Sequence, residues 1–554
     1  MFAGLATAQT PSGKDLTEVV DEILVHLPTE QADTYNQRMK ELLDTGVEGV
    51  KLLVGRMNTP EKDDHSAIEY ALYGMACFAS GDVNLKNQLE QALIATLDEK
   101  NMPTTKVFII SLMALTGSEE SIRKLAVYLS DDELCSAAAC AIVSIGGEWA
   151  GKELQMALLR RNARSPESQR SVIQALGDLQ QPVEGLEELL IPMLITDDRL
   201  TKRIVLRTLS LTGSKQSLPN LASTVAGYRT ENTDANEAYL QLIKRVHEQG
   251  DKKEAIAAAQ NLLKNATKSG ASPLRIAALE LLFSFQPDIQ SVLKTALKDG
   301  DKAYRNAALN FASESADKAL YTELFKILPK AKTVEKIDLL NWIGREAQSA
   351  SKKQILLTIE TNIDIPGTQT LIQLLNDTDE EVRHAAIRTL GVLGDPTALP
   401  ALADLLKSDN FQTLSTVKEV LAAFTKEIFP VIARAMEKAS DEGKVIIMEL
   451  LSERKANAYF YLVLEQTKNK HPKVQNVAFI SLKNVVSEKD FVALCGLLES
   501  ADPSFVEPLQ QAVASSIAIL SPEKQTEMIT NRVLQVGDMK KYLYQPVLSS
   551  LTEK

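Results

Sequence analysis

The 554-residue sequence is poor in the residues that build most metal and redox sites. It has four cysteines and five histidines, with no C-x-x-C, H-E-x-x-H or H-x₃-H spacing. We therefore expect no bound metal. The cysteines lie in apolar segments and are predicted to be small buried side chains. They are Cys77, Cys135, Cys140 and Cys495.

Motifs for catalysis, cofactors and membranes are also missing. No G-x-x-x-x-G-K-[ST], G-x-G-x-x-G or G-x-S-x-G pattern occurs, so we predict no cofactor and no catalytic residue. A formal net charge of −12 argues against nucleic acid as a partner. The longest apolar run, residues 107–115, is far shorter than the roughly 18 residues of a membrane span, which excludes an integral membrane segment.

What the sequence does contain is helical periodicity, and the best example is TDEEVRHAAIRTLGVLG at residues 378–394. Its apolar positions form one stripe along a helix. Thr378 or Asp379 can cap the start of this helix, and Gly394 can end it. A second amphipathic helix is predicted at residues 398–407. The apolar positions of the stripe are Val382, Ala385, Ala386, Leu390 and Leu393.

The same pattern recurs along the chain, and we call the residue that matches Val382 in each copy its anchor. Successive anchors are separated by 34, 33 and 30 residues in the clearest pairs. A two-helix repeat of this length predicts an all-α fold, a right-handed α-solenoid (superhelix) of antiparallel helix pairs. The anchors are Leu134, Ser168, Thr201, Leu274, Tyr304, Val382 and Val474.

Three regions are predicted along the chain. Residues 1–14 form a leader whose Ala6-Thr7-Ala8 matches the end of a secretory signal peptide, which predicts export to the periplasm or cell surface. A short leader in a cytoplasmic protein is the alternative. Residues 15–60 form a helical cap, and residues 61–554 form the solenoid, with an extra helix near 352–360.

Residues 371–409 resemble the HEAT-like repeat of the phycobilisome-lyase type. The resemblance is carried by Asp379, Val382, Arg383 and Gly391, and by Gly394-Asp395-Pro396. It implies an architecture and no particular activity.

The opening of the chain, from AQTPSGKDLTEVV to residue 54, and the diffuse repeats after it resemble the N-terminal region of large secreted Bacteroidetes proteins. Those proteins carry a domain related to 3-keto-disaccharide hydrolases, and no segment of this chain matches that domain. The resemblance implies an exported scaffold and transfers no functional residue. It leaves open a second function, in which the chain is an accessory region of a larger glycan-active hydrolase.

Arginine occupies two kinds of position in the repeats. Arg275, Arg305 and Arg383 directly follow their anchors, and we expect a structural ladder in which they pair with aspartates such as Asp301 or Asp379.

Positions two and six after the anchors point away from the second helix of each pair, toward the expected concave surface. This face is either ordinary solvated surface or a binding surface, in which Arg170, Arg203 and Arg207 would hold an anionic or carboxylate-bearing ligand. Trp149 and Trp342 could stack on a ligand or belong to the core. We predict a non-enzymatic scaffold that presents this face to a protein, peptide or glycan. The candidate binding residues are Arg170, Gln174, Arg203, Arg207, Asn306, Asn310, His384 and Arg388.

Overall fold

The computed structural model describes residues 15–29, 31–58, 65–160, 165–225, 233–285, 288–360, 366–424 and 428–552. The predicted leader, residues 1–14, lies outside them. The described chain is all-α, with an isolated β-bridge between Glu360 and Pro366. None of the described helices combines the length and apolar character that crossing a membrane would need. The predicted all-α solenoid is confirmed.

The chain divides into two compact units, and unit 1 is Met1–Pro287. Its helices are α1 (Leu16–Leu24), α2 (Ala32–Asp44), α3 (Gly46–Arg56), α4 (Ser66–Ala79), α5 (Val83–Leu97), α6 (Pro103–Thr116), α7 (Glu119–Tyr128), α8 (Cys135–Ile145), α9 (Glu148–Leu159), α10 (Pro166–Asp178), α11 (Leu186–Leu190), α12 (Arg199–Thr212), α13 (Leu218–Val225), α14 (Thr233–Glu248), α15 (Lys252–Ser269) and α16 (Ser272–Phe285).

Unit 2 is Asp288–Lys554, and short 3₁₀ turns join many of its helices. These helices are α17 (Ile289–Leu297), α18 (Lys302–Glu314), α19 (Lys318–Ile327), α20 (Thr333–Glu346), α21 (Ala350–Leu357), α22 (Gly367–Gln373), α23 (Glu380–Leu393), α24 (Leu399–Asp404), α25 (Phe411–Ala423), α26 (Phe429–Ala435), α27 (Asp441–Glu453), α28 (Phe460–Gln466), α29 (Pro472–Val485), α30 (Phe491–Glu499), α31 (Val506–Ile517), α32 (Pro522–Gln535) and α33 (Gln545–Thr552). Helix α21 overlaps residues 352–360.

The helices of unit 1 pack in two layers. In the front layer, α4, α6, α8, α10, α12 and α14 each contact the next member, while α5, α7 and α9 belong to the back layer. Every anchor residue in both units is buried, because it lies on the face that its helix turns toward the other layer. The positions of the buried anchors therefore also determine which side chains of each helix lie on the exposed front face.

Helix α23 illustrates how the local sequence determines where a helix begins and ends and which face is buried. Asp379 is its N-cap and accepts hydrogen bonds from the N–H groups of Glu381 and Val382, at 2.9 and 3.3 Å. Gly394 ends the helix in the left-handed conformation, with φ +62°, which glycine adopts without steric cost. All five apolar positions of its predicted stripe are buried.

Polar side chains join one repeat to the next. The buried carboxylate of Glu90 on α5 accepts hydrogen bonds from the backbone N–H and hydroxyl groups of Ser118 and Ser121, at 2.6 to 3.3 Å. These serines lie at the start of α7. Glu90 thus satisfies N–H groups that the helix itself leaves without partners.

Two arginines of the predicted ladder have partners other than Asp301 and Asp379. Arg305 pairs with Asp338 on α20, with Nε and Oδ2 2.6 Å apart, and also donates to the carbonyl of Asp299. Arg383 donates to the carbonyls of Asp377 and Thr378. The carboxylates of Asp301 and Asp379 cap their own helices, α18 and α23.

Two of the four cysteines are also not where we expected them. Cys135 and Cys495 are buried, whereas Cys77 and Cys140 are exposed on α4 and α8. On α8 the buried stripe runs through Ala138, Ala141 and Ile142, and the helical period turns position 140 to the opposite side. Cys77 and Cys140 therefore belong to the exposed front face.

The two tryptophans also differ. Trp342 is fully buried and donates from Nε1 to the hydroxyl of Ser313, at 2.8 Å. Trp149 is 38% exposed, and the Arg123 guanidinium lies 4.7 Å from its ring centre.

Candidate functional site

The front layer of unit 1 brings four of the predicted residues onto one face. Arg170 and Gln174 lie on α10, and Arg203 and Arg207 lie on the neighbouring α12. Gln174, Arg203 and Arg207 are exposed, while Arg170 is half-buried. Their shared orientation follows from their equal spacing after the buried anchors Ser168 and Thr201.

Three clefts, here together called the furrow, follow one another along this face from α8 to α14. One cleft of about 270 Å³ lies between α8 and α10, and another of about 270 Å³ lies between α12 and α14. A smaller cleft of about 10 Å³ lies between α10 and α12, and it shares Gln174 and Asp178 with the first and Arg207 and Leu211 with the second. The first cleft is lined by Ser136, Cys140, Val143, Ser144, Ser171, Gln174, Ala175 and Asp178. The second is lined by Arg203, Arg207, Ser210, Leu211, Asp234, Glu237, Ala238 and Gln241.

Arg170 has a structural partner at the edge of the furrow. Its Nη1 lies 3.1 Å from Oδ2 of Asp198, the residue that caps α12. The hydroxyl of Thr201 donates to the same carboxylate, and this hydrogen bond holds the pKa of Asp198 below its usual value. Arg170 therefore joins α10 to the start of α12.

Arg203 and Arg207 have weaker attachments. Nε of Arg203 lies 3.6 Å from Oδ1 of Asp234, and Nη2 of Arg207 lies 3.2 Å from Oδ1 of Asp178. Their side chains are 65% and 59% exposed. Each arginine makes a single-point contact, so most of its N–H groups still face solvent.

The acidic side of the second cleft was not predicted from the sequence. Asp234, Glu237 and Gln241 lie on α14 and face the arginines of α12 across this cleft. Among the described residues, Glu237 and Gln241 make no side-chain hydrogen bond or ion pair. Their spacing of three and four residues is the signal that could have found this wall, since it places all three on one side of a helix.

The predicted residues of unit 2 do not form one site. Asn306 and Asn310 lie on α18 and His384 and Arg388 on α23, with α20 packed between these helices. Asn306 is half-buried. The exposed Asn310 accepts a hydrogen bond from Arg345, at 3.4 Å, and Arg388 is exposed.

The expected exposure of His384 is wrong. Its side chain is buried, because α25 packs beside it and places the hydroxyl of Thr413 3.1 Å from Nε2. This burial lowers the pKa of His384 below its usual value. His384 is thus part of the contact between α23 and α25.

No cluster of histidine, cysteine, aspartate and glutamate within the described ranges has the arrangement of a metal site. In the furrow, the Ser144 hydroxyl donates to the carbonyl of Cys140 and the Ser171 hydroxyl to that of Glu167, so both are engaged with their own helices. The lining residues can supply hydrogen bonds, charges of both signs and small apolar surfaces.

Comparison with known proteins agrees with this architecture. The HEAT repeats family model matches residues 339–426, which include α23. The uncharacterized phycocyanin operon protein Z of Pseudanabaena tenuis is 34% identical over 92 residues, or 17% of this chain. The chain spans only 43% of the length of that relative.

Solved structures with a similar course of the chain include yeast importin-beta (Kap95p), at 14% identity and a TM-score of 0.40. That comparison covers 98% of this chain and 77% of the other. Kap121p is 12% identical over 97% of this chain and 70% of its own, with a TM-score of 0.35. The resemblance to secreted Bacteroidetes proteins stays a prediction. This chain is an all-α solenoid in which residues 339–426 match the HEAT repeats model.

Proposed function

We propose that this chain is a non-catalytic scaffold that binds an extended segment of a protein partner in the furrow of unit 1. The observation that carries the proposal is the row of clefts, with lining residues in common, across α8, α10, α12 and α14. Packed helices lie about 8–10 Å apart, so the furrow crosses roughly 25–30 Å. An extended peptide rises about 3.3 Å per residue, and about eight residues would span this distance.

The lining supports a peptide rather than a small metabolite. Stacked helical repeats offer long surfaces on which a partner contacts many repeats at once. The furrow has small and apolar side chains at one end, such as Cys140 and Val143, and charged side chains at the other, such as Arg203 and Glu237. A polypeptide supplies both kinds of group along its length, and its main chain can bond to the polar side chains between them.

Peptide selection followed by site-directed cross-linking tests this proposal. Random peptides displayed on phage are selected on the whole chain, and the selected peptides are then added to variants that carry a photoreactive benzophenone amino acid. The photoreactive residue replaces Gln174 or Gln241 in the furrow, or Met156 as a matched control. All three positions are exposed, and Met156 lies on α9 in the back layer.

We expect the selected peptides to cross-link from positions 174 and 241 and not from position 156. Equal cross-linking from all three positions, or selection of no peptide above background, would contradict binding in the furrow.

A further inference from the structure

We infer that the furrow selects peptide segments in which an acidic and a basic side chain are separated by one residue, with the acidic one against α12 and the basic one against α14. This inference rests on the proposed function and names the chemistry of its partner. It replaces the anion site expected from the three arginines, because each of them has an aspartate beside it.

The α12 side of the second cleft can accept a ligand carboxylate. Arg203 and Arg207 are one helical turn apart, so their guanidinium groups lie on the same side of the cleft. A guanidinium has five N–H donors, and each of these arginines contacts its aspartate through a single nitrogen. A ligand carboxylate in the cleft can therefore accept hydrogen bonds from both arginines without breaking any contact in the protein interior.

The α14 side of the cleft has the opposite character. Glu237 has no partner among the described residues, and Asp234 has only the 3.6 Å contact with Arg203. When a ligand carboxylate pairs with the arginines, Asp234 and Glu237 remain available to pair with a cationic group of the ligand. A ligand with charge of one sign would leave one side of the cleft unpaired, whereas a ligand with both signs satisfies both sides.

The spacing of an extended peptide fits this cleft. Side chains two residues apart point to the same face of an extended chain and start about 6.6 Å apart. Adjacent helices lie about 8–10 Å apart, a gap that the ends of glutamate and lysine side chains can reach from those positions. The cleft between α8 and α10 has one ionised lining residue, Asp178, whose charge is paired with Arg207. Peptide residues on that side are therefore expected to be small and uncharged.

The test uses four pools of blocked, fluorescein-labelled peptides that differ only at two positions separated by one residue. These positions carry Glu and Lys in either order, two Glu, two Lys or two Gln, and the other positions carry Ser, Ala or Val. Binding to the whole chain is followed by fluorescence anisotropy at low salt, because exposed charges are screened at high salt. We expect the mixed pool to bind tighter than each of the other three by more than about twofold and up to about fivefold, the range for an exposed ion pair.

Reversing the charges on one side of the second cleft at a time tests which side pairs with which peptide charge. In R203E/R207E both sides become acidic, and the two-Lys pool should bind tightest. In D234K/E237K both sides become basic, and the two-Glu pool should bind tightest. The control R434E changes an exposed arginine of unit 2 and should leave the order of the pools unchanged.

The substituted side chains are exposed or in exposed pairs, so the variants should keep the helical circular dichroism of the parent. The inference is overturned if the four pools bind within about twofold of each other, if the two-Glu pool binds the unmodified chain tightest, or if both reversal variants keep the original order. In those cases cross-linking from positions 174 and 241 would still support the proposed function. Failure of that cross-linking, together with no binding by any pool, would overturn both.

Discussion

Arg203 on α12 of unit 1 and Arg305 on α18 of unit 2 hold neighbouring places in their repeats, two residues and one residue after their anchors. Arg203 is 65% exposed and lies 3.6 Å from Asp234, whereas Arg305 is 5% exposed and lies 2.6 Å from Asp338. One residue along a helix rotates a side chain by about 100°. That rotation is enough to move an arginine from the solvated front face into the seam between helices.

The difference in burial predicts a difference in energetic role. An exposed ion pair contributes about 0–1 kcal/mol to stability, since water solvates both groups when the pair breaks. Removal of one partner from a buried pair costs about 3–5 kcal/mol, because the remaining charge is left without solvation. The two tryptophans allow each unit to be followed separately. A W149F background leaves Trp342 as the reporter of unit 2, and a W342F background leaves Trp149 as the reporter of unit 1.

The largest effect is expected for R305M. This change leaves the buried carboxylate of Asp338 without its cation and should destabilise unit 2 by about 3–5 kcal/mol. Urea unfolding followed by Trp342 emission in the W149F background measures the change. The double variant R305M/D338L removes both charges and should recover most of the loss. A loss below about 1 kcal/mol for R305M would mean that Arg305 contributes no more than an exposed arginine.

A smaller effect is expected for E90A in unit 1. Glu90 accepts hydrogen bonds from the start of α7, and its removal should cost about 1–3 kcal/mol, because buried N–H and hydroxyl groups lose their acceptor. Urea unfolding followed by Trp149 emission in the W342F background measures it. The matched control is E120A, which removes an exposed glutamate that accepts a hydrogen bond from Gln91. Equal midpoints for E90A and E120A would contradict a role for Glu90 in joining the repeats.

The sequence predicts the features of this fold that depend on residues close together in the chain. The stripe of α23, its cap at Asp379 and its end at Gly394 all follow from local periodicity, and the structure confirms them. The ion-pair partner of Arg305 was not predicted. Asp338 lies 33 residues from Arg305, so this pair depends on how successive repeats are stacked rather than on either helix alone.

The candidate site shows the same limit. The spacing from the anchors placed Arg203 and Arg207 on one exposed face, but it could not show that α14 would face them with Asp234 and Glu237. His384 has the same offset from its anchor as Arg203 and is buried all the same. Whether a position two residues after an anchor is exposed depends on the neighbouring helix, which the repeat pattern alone does not describe.

A still smaller effect on stability is expected for R203A. Because this pair is exposed and long, the unfolding midpoint of unit 1 should change by less than about 1 kcal/mol. Binding of the mixed peptide pool should nevertheless weaken, since the α12 side of the cleft loses one of its two cations. Urea unfolding in the W342F background and fluorescence anisotropy separate the two effects. R434A in unit 2, at another exposed arginine, is the control that should leave peptide binding unchanged. A large loss of stability in R203A would show that Arg203 acts as Arg305 does.

The smallest effect is expected from the protonation of His384. Burial lowers its pKa in the folded chain below the usual 6.5, so the unfolded chain takes up the proton first as the pH falls. The stabilisation from neutral His384 is therefore complete above the unfolded pKa and is lost as the pH falls through the folded pKa. The groups that face the ring are the Thr413 hydroxyl, Glu380 at 3.8 Å, and the charges of Arg383 and Arg388. In the W149F background, the urea midpoint of unit 2 should fall more between pH 7.5 and 5.5 with His384 than in H384Q, whose amide can also bond to Thr413. Equal changes in the urea midpoint of the two chains would mean that water solvates the charged His384 side chain. The position two residues after the anchor would then be as accessible to solvent in unit 2 as it is at Arg203.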